Sequence, residues 1–321
     1  MIRSTRQGPV ADYLGADLTD GTPGRRRPID VCGLTAVGAS FRAQFWTWEW
    51  SDQGLESVVS EIRAARCTFI DGPQGLASKG RTMRACDRAV GAAAKTGAER
   101  SQVSGPYAGF VLSSLDLFQR LHAAGVPVSV PGSAGGVWEV YPALLWRRLV
   151  LGLSKKTTVA GVAQRRATLE RLGVALGEIG LTHDQLDAAV GALAAAASEG
   201  KVPGLALVLL GDPLIVRASG ELEEGPMASL QVDRRLRDEL SGIAGVGTDP
   251  VMGRPATSAV RGRVDELACP IPGCAHVFRA GRGGWDAHVA SRRVHPNWMP
   301  SESDGQRRKE LFRGAFPSFF T

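Results

Sequence analysis

The chain is poor in the residues and patterns that mark several whole classes of protein. It has only five cysteines in 321 residues. Cys32, Cys67 and Cys86 are scattered and read as reduced, buried thiols rather than a disulfide framework. No apolar run approaches the roughly 18 residues that a membrane-spanning helix needs. Met1 to Gln7 carries two arginines, but no apolar segment follows, so no signal peptide is expected. There is no internal repeat, which argues against a solenoid or propeller. Charge of one sign is not abundant either. Lys and Arg number 38 against 32 Asp and Glu, a net charge of +6. That excess leans toward a polyanionic partner without amounting to a polybasic tail. Together these features fit a protein of a reducing cytoplasm with no membrane partner. Its hydrophobic content of 44% is ordinary for a packed core.

What is present is a clear order of elements. Tyr13–Thr19, Ile29–Thr35 and Phe41–Trp50 read as three strands joined by short turns, an antiparallel meander. The first turn carries Arg25, Arg26 and Arg27, which read first as a solvated turn and second as a phosphate contact. Leu55, Val58, Val59, Ile62 and Ala65 recur at helical spacing. Cys67–Asp71 follows as an apolar strand ending in an acid, which is the pattern of a central, parallel strand. Lys79–Gly91 reads as basic and irregular. A helix is expected around Leu115, Phe118 and Leu121, a fifth strand over Val137–Pro142, and helices over Leu144–Leu151 and Gln164–Leu172. Leu205–Leu210 and Leu214–Ala218 flank Gly211-Asp212-Pro213 and suggest a hairpin. Beyond about Leu230 the composition turns polar, with one short helix near Arg234–Leu240.

One stretch organises these pieces. Thr182 and Gln185 form a Thr-x-x-Gln capping box that starts a helix, which Gly200 and Pro203 end. Asp184 and Asp187 stand three apart in it, so both carboxylates leave one face. Behind them runs a face of alanines, small enough to press close to a sheet.

The order β-β-β-α-β-α-β-α carries acids at Asp17, Asp71, Asp184 and Asp187. In this it resembles the RNase H-like superfamily. The Asp184-x-x-Asp187-Ala run resembles the last motif of the Holliday-junction resolvases. Closer still is a family of unknown function whose members are regarded as RNase H-like nucleases. The matching pieces are Tyr13–Thr19, Ile70–Pro73, Arg84–Asp87, Glu139–Pro142 and His183–Leu193. The resemblance implies an α/β fold with a mixed five-stranded sheet flanked by helices, over residues 10–230. It also implies a nuclease that hydrolyses phosphodiester bonds of DNA or RNA at a two-metal acidic site. Asp17 would bridge two Mg²⁺ or Mn²⁺ ions, Asp71 would hold one, and Asp184 with Asp187 the other. Hard carboxylate oxygens suit those ions. Glu139 is a further candidate, facing either into the site or away from it. Lys155, Lys156, Arg165 and Arg166 are candidate phosphate contacts because they lead toward the acidic helix.

A second constellation lies near the C-terminus. Cys269 and Cys274 are separated by four residues, His288 follows after thirteen more, and His295 after a further six. With Phe278 and Trp285 between them, this resembles a two-cysteine, two-histidine zinc finger over residues 265–300, holding structural Zn²⁺. Both spacers that involve histidine are longer than usual in such fingers. Arg292 and Arg293 would add phosphate contact. Residues 231–264 would be a linker or extension and 301–321 a tail. Two other readings remain open at this point. One is a non-catalytic module that binds nucleic acid or protein on the same scaffold. The other is a hydrolase of a small phosphorylated molecule.

Overall fold

The computed structural model describes residues 2–5, 11–51, 55–93, 95–177 and 180–241, with 267–268, 277–278 and 310–311 beyond them. The chain divides into two compact units, residues 1–250 and 251–321. The first unit is a mixed α/β layer structure. Its strands are β1 (Ile2–Ser4), β2 (Tyr13–Asp17), β3 (Ile29–Val37), β4 (Ser40–Trp50), β5 (Cys67–Asp71), β6 (Gly136–Val140), β7 (Val174–Ala175), β8 (Leu205–Leu210), β9 (Leu214–Val216), β10 (Leu222–Glu224) and β11 (Met227–Val232). Its helices are α1 (Glu56–Ala64), α2 (Ala85–Val90), α3 (Ala108–Ala123), α4 (Pro142–Leu149), α5 (Val159–Arg171), α6 (His183–Ser198) and α7 (Arg234–Ser241). No helix among the described residues is long and apolar enough to cross a membrane.

The expected meander is present: β2, β3 and β4 pair antiparallel in sequence order. β5 is central, parallel to β2 on one side and to β6 on the other. These five strands form the middle of a larger sheet than the sequence suggests, with nine strands in the order β1-β4-β3-β2-β5-β6-β11-β8 and β7 beside β4. The extra width comes from the region after α6. Leu205–Leu210 and Leu214–Val216 do not form the expected hairpin with each other. β8 pairs antiparallel with β11, and β9 pairs with β10 in a separate two-stranded ribbon. Gly211-Asp212-Pro213 is a corner between two sheets. Residues 231–241, expected as the start of a linker or extension with a short helix near Arg234–Leu240, hold the end of β11 and that helix, α7, whose Leu240 is fully buried in the core. The expected irregular stretch 79–91 contains α2.

Strand alternation sorts the core into two layers. Tyr13, Cys32, Phe69, Trp138 and Val140 face the layer built by α4, α5 and α6. Ala16, Val31, Ile70 and Val137 face α1 and α3. Helix α6 is buried along its whole length from Leu186 to Ala197. Its capping box is formed as expected: the Thr182 hydroxyl accepts from the Gln185 amide, and the Gln185 side chain accepts from the Thr182 amide, at 3.1 and 2.9 Å.

A helix this buried sits close to the sheet because the residues between are small. A methyl group on Gly15 of β2 would collide with the backbone of Ala188 and Ala192 in α6. Backbone on both sides leaves no flexible side chain to yield. Gly15→Ala should therefore destabilise the chain by about 1–3 kcal/mol or more. Urea unfolding reads this directly. A change within about 0.5 kcal/mol, the size of an ordinary surface substitution, would mean that α6 has room to move away.

Candidate metal centre

Three acids leave the sheet on the α6 face. Asp17 ends β2 and Asp71 ends β5, and the parallel register sets these positions side by side. Asp30 of β3 lies directly opposite Asp17 in the antiparallel register. The parity that points Gly15 and Phe69 at α6 also points Asp17 and Asp71 at its first turns. There α6 contributes Asp184 and Asp187. Burial, and then the charges of Asp71, Asp187 and Asp184, hold Asp17 well above the usual carboxylate range. Burial, and then Asp187, push Asp71 up to about 8, with Lys156 opposing and Glu139 adding to the rise. Asp30 is raised as well, by burial and then by Asp184.

Two groups fix Asp187. Trp146 Nε1 of α4 donates to its Oδ1 at 2.6 Å, and Lys156 Nζ donates to its Oδ2 at 2.8 Å. Lys156 Nζ also lies 3.6 Å from Asp184 Oδ1. The loop that carries Lys156 rests on α5 at Gly161, where a side chain would strike the Lys155 carbonyl. Asp184 is flanked by His183 Nδ1 at 2.7 Å and by Arg27 Nη1 at 3.5 Å. The His183 contact lacks the alignment of a hydrogen bond, and its Nδ1 has no hydrogen-bond partner among the described residues. His183, Asp184 and Asp187 each present a ligand atom within 4.8 Å of the others.

This set suits a hard divalent cation. Five carboxylates from four elements face one lysine and one largely exposed arginine, so negative charge is in excess. Oxygen donors of this kind match Mg²⁺ or Mn²⁺. The positive end of the α6 dipole points the same way and lowers the cost of gathering the acids.

The other expected site residues fall differently. Register sets Glu139 of β6 opposite Ile70, so it points to the α3 side of the sheet, away from Asp17. There it is bound by Arg84 Nη1 and Nη2 at 2.5 and 2.6 Å and by the Gln74 amide at 2.9 Å. Arg165 turns inward. Its guanidinium lies 5.5 Å from the Trp146 ring centroid and donates to the carbonyls of Ser154 and Gly161, so it braces the Lys156 loop rather than offering a surface charge. Arg166 pairs with Glu170 at 2.9 Å on the outer side of α5. Lys155 is exposed, next to Lys156. Cys269, Cys274, His288, His295, Arg292 and Arg293 lie outside the described residues. Two contributors escape a reading by motif: Asp30 is an acid at the start of an otherwise apolar strand, and Trp146 is hidden among core positions of α4. Lys156, expected as a phosphate contact, sits within the cluster on Asp187.

The raised acids have a consequence for stability. At pH values between the ordinary 3.8 and about 8, Asp71 keeps a proton in the folded chain that the unfolded chain has lost. Asp17, raised by burial and by its acidic neighbours, contributes in the same direction. The folded state binds more protons in that window, so stability falls as pH rises through it. In EDTA the Tm should be lower at pH 8 than near pH 5.5, and Asp71→Asn should flatten the slope. A Tm that rises with pH across the window in both proteins would show that Lys156 already holds these acids ionised.

Residues 29–213, more than half of the chain, match the family model described as a protein of unknown function, DUF429. The matched span contains Asp30, Asp71, Lys156, Asp184 and Asp187, and Asp17 lies just ahead of it. No curated protein and no solved structure matches the chain. With its central strands, its acidic helix and most of its acid cluster inside that span, the chain belongs to the DUF429 family.

Proposed function

We propose that this chain is a metal-dependent nuclease with an RNase H-like catalytic unit. The observation that carries this reading is the gathering of acids from separate strands and the first turns of α6 around a single lysine. Burying isolated carboxylates is costly, and a divalent cation removes that cost. Asp17, Asp71, Asp184 and Asp187 would hold the ions, and Asp30 would add negative charge behind them. Bound there, Mg²⁺ or Mn²⁺ would lower the pKa of an attacking water and neutralise the leaving oxygen of a phosphodiester. The chain's own residues prepare that site. Trp146 locks the Asp187 carboxylate in one orientation. Lys156 balances charge inside the cluster and, with exposed Lys155 and Arg27 at its edge, offers cations to the phosphates of DNA or RNA.

Asp71→Asn tests this reading, because it keeps size and removes one ligand charge. Cleavage of a mixed panel of DNA and RNA substrates with Mg²⁺ or Mn²⁺ should fall at least 100-fold. Stabilisation by Mn²⁺ should disappear, while Tm in EDTA at pH 8 should hold or rise, because repulsion among the acids is relieved. Normal cleavage by the variant, or no cleavage of any nucleic acid by the parent chain, would retire the nuclease reading in favour of a binding role or a small phosphorylated substrate.

The same proposal includes a zinc module near the C-terminus. Within the second unit Leu267–Ala268 pairs antiparallel with Val277–Phe278, a two-stranded ribbon that brackets Cys269 and Cys274 in sequence. Such a ribbon is what a two-cysteine, two-histidine finger uses to present its thiolates. The purified chain should carry one zinc per molecule by elemental analysis, lost in Cys274→Ser. Zinc retained in full by that variant would assign the metal elsewhere.

A further inference from the structure

On the other side of Asp71 the ends of β5 and β6 open into a cavity of about 250 Å³. Asp71 is the wall this cavity shares with the acid cluster. Phe110 and Tyr141 supply aromatic sides, and Tyr107, 52% exposed, stands among the lining residues at the surface. Arg84, Asp87 and Glu139 also line it, and all three are buried.

This charged end is a constructed one. Arg84 donates to Asp87 through Nε and Nη2 at 3.0 and 2.7 Å, and to Glu139 through Nη1 and Nη2. Glu224 takes hydrogen bonds from the amides of Ser78 and Ala85 at 2.9 Å each, and so pins the start of α2, which carries Asp87. One guanidinium thus serves two carboxylates, and the trio keeps a net negative charge. Four of the five arginine N–H donors are engaged in these bonds, whereas each carboxylate oxygen has two acceptor sites and Glu139 Oε1 and Asp87 Oδ2 each accept one bond from Arg84, so acceptor capacity is left over. Thr96 lines the same cavity, is 1% exposed, and its hydroxyl has no hydrogen-bond partner among the described residues. A buried hydroxyl without a partner calls for a bound one.

We propose that this cavity receives a nucleobase that carries an exocyclic amino group, guanine above the others. Its placement beside the scissile bond rests on the nuclease reading. Aromatic sides stack a flat ring, as single-stranded nucleic-acid sites do. The volume is below the roughly 300–1,000 Å³ of sites for drug-sized ligands and suits one ring system. An end rich in acceptors selects N–H donors. Guanine presents its ring N–H and amino group side by side, a match for one carboxylate. Adenine and cytosine offer an amino group beside a ring acceptor. Uracil and thymine offer a single N–H between two carbonyls, which a carboxylate repels. The base flanking the bond to be cut would enter the cavity and so set where the chain cleaves.

The test is direct binding by the full chain, without divalent metal, followed by calorimetry with GMP, CMP, AMP and UMP. GMP should bind at least tenfold more tightly than UMP. Ala93→Phe fills the cavity from an exposed lining position, and Tyr107→Ala removes an exposed stacking face. Neither touches the acid cluster or the core. Each should weaken GMP at least tenfold while Mn²⁺ binding stays unchanged. Equal affinity for GMP and UMP, no binding of any mononucleotide, or GMP binding unmoved by both variants would overturn the proposal. If GMP is preferred and both variants abolish that preference, but the parent chain neither binds Mn²⁺ nor cleaves nucleic acid, the base pocket stands and the nuclease reading fails.

Discussion

The contact on which the rest depends is the approach of α6 to β2 at Gly15. A helix normally stands off a sheet by the length of its side chains. Here one surface is a glycine and the other the backbone around Ala188 and Ala192, so that distance shrinks. The consequence is electrostatic as much as steric. Bringing the helix down sets its first turns against the ends of β2 and β5, where Asp17 and Asp71 emerge. The far end of α6 is tied as well: Glu199 accepts from Arg66 Nε at 2.6 Å and from the Tyr13 hydroxyl at 3.0 Å. A helix pressed at its middle and tied at its end has little freedom to relieve the repulsion at its start.

That repulsion is the second constraint. Nothing in the hydrophobic core requires Asp17, Asp30, Asp71, Asp184 and Asp187 to meet, and burial makes their meeting costly. Lys156 offsets part of the cost. Burial pulls its ammonium down, but Asp187, Asp17 and Asp184 together hold it above its ordinary value. The loop bearing it is in turn supported by Arg165, stacked on the same Trp146 that grips Asp187. The indole thus connects the lysine loop and the acid, and a single aromatic side chain sets the relative position of positive and negative charge.

Much of this was legible in the sequence wherever the signal is local. The capping box at Thr182, the alternation in β2 and β3, and the apolar run of β5 each carry their own physics, and each is present in the fold. The acids were legible as candidates because a carboxylate on a buried strand has few structural uses. What could not be read depends on partners distant in the chain. Leu205–Leu210 looks like half of a hairpin because its neighbour in sequence is also apolar, yet β11 competes for it and wins with a six-residue register. Arg165 looks like a surface charge because nothing nearby announces that Trp146 lies over it. Glu139 is one residue out of phase with Asp71 across the β5–β6 register, and only that register decides which face it serves.

That one-residue offset has a chemical result. Asp71 and Glu139 sit at the same end of neighbouring strands, yet they point to opposite faces, so the sheet separates two acidic groups that would otherwise merge. Each receives its own cation from the chain: Lys156 on one face, Arg84 on the other. The separation is incomplete, because Glu139 still raises Asp71. Arg84 therefore acts on both faces. By offsetting part of the charge on Glu139 it limits the repulsion felt at Asp71, and keeps that carboxylate closer to the range in which a divalent cation can displace its proton near neutral pH. The arginine that braces the cavity and the acids that suit a metal are, through Asp71, parts of one electrostatic system.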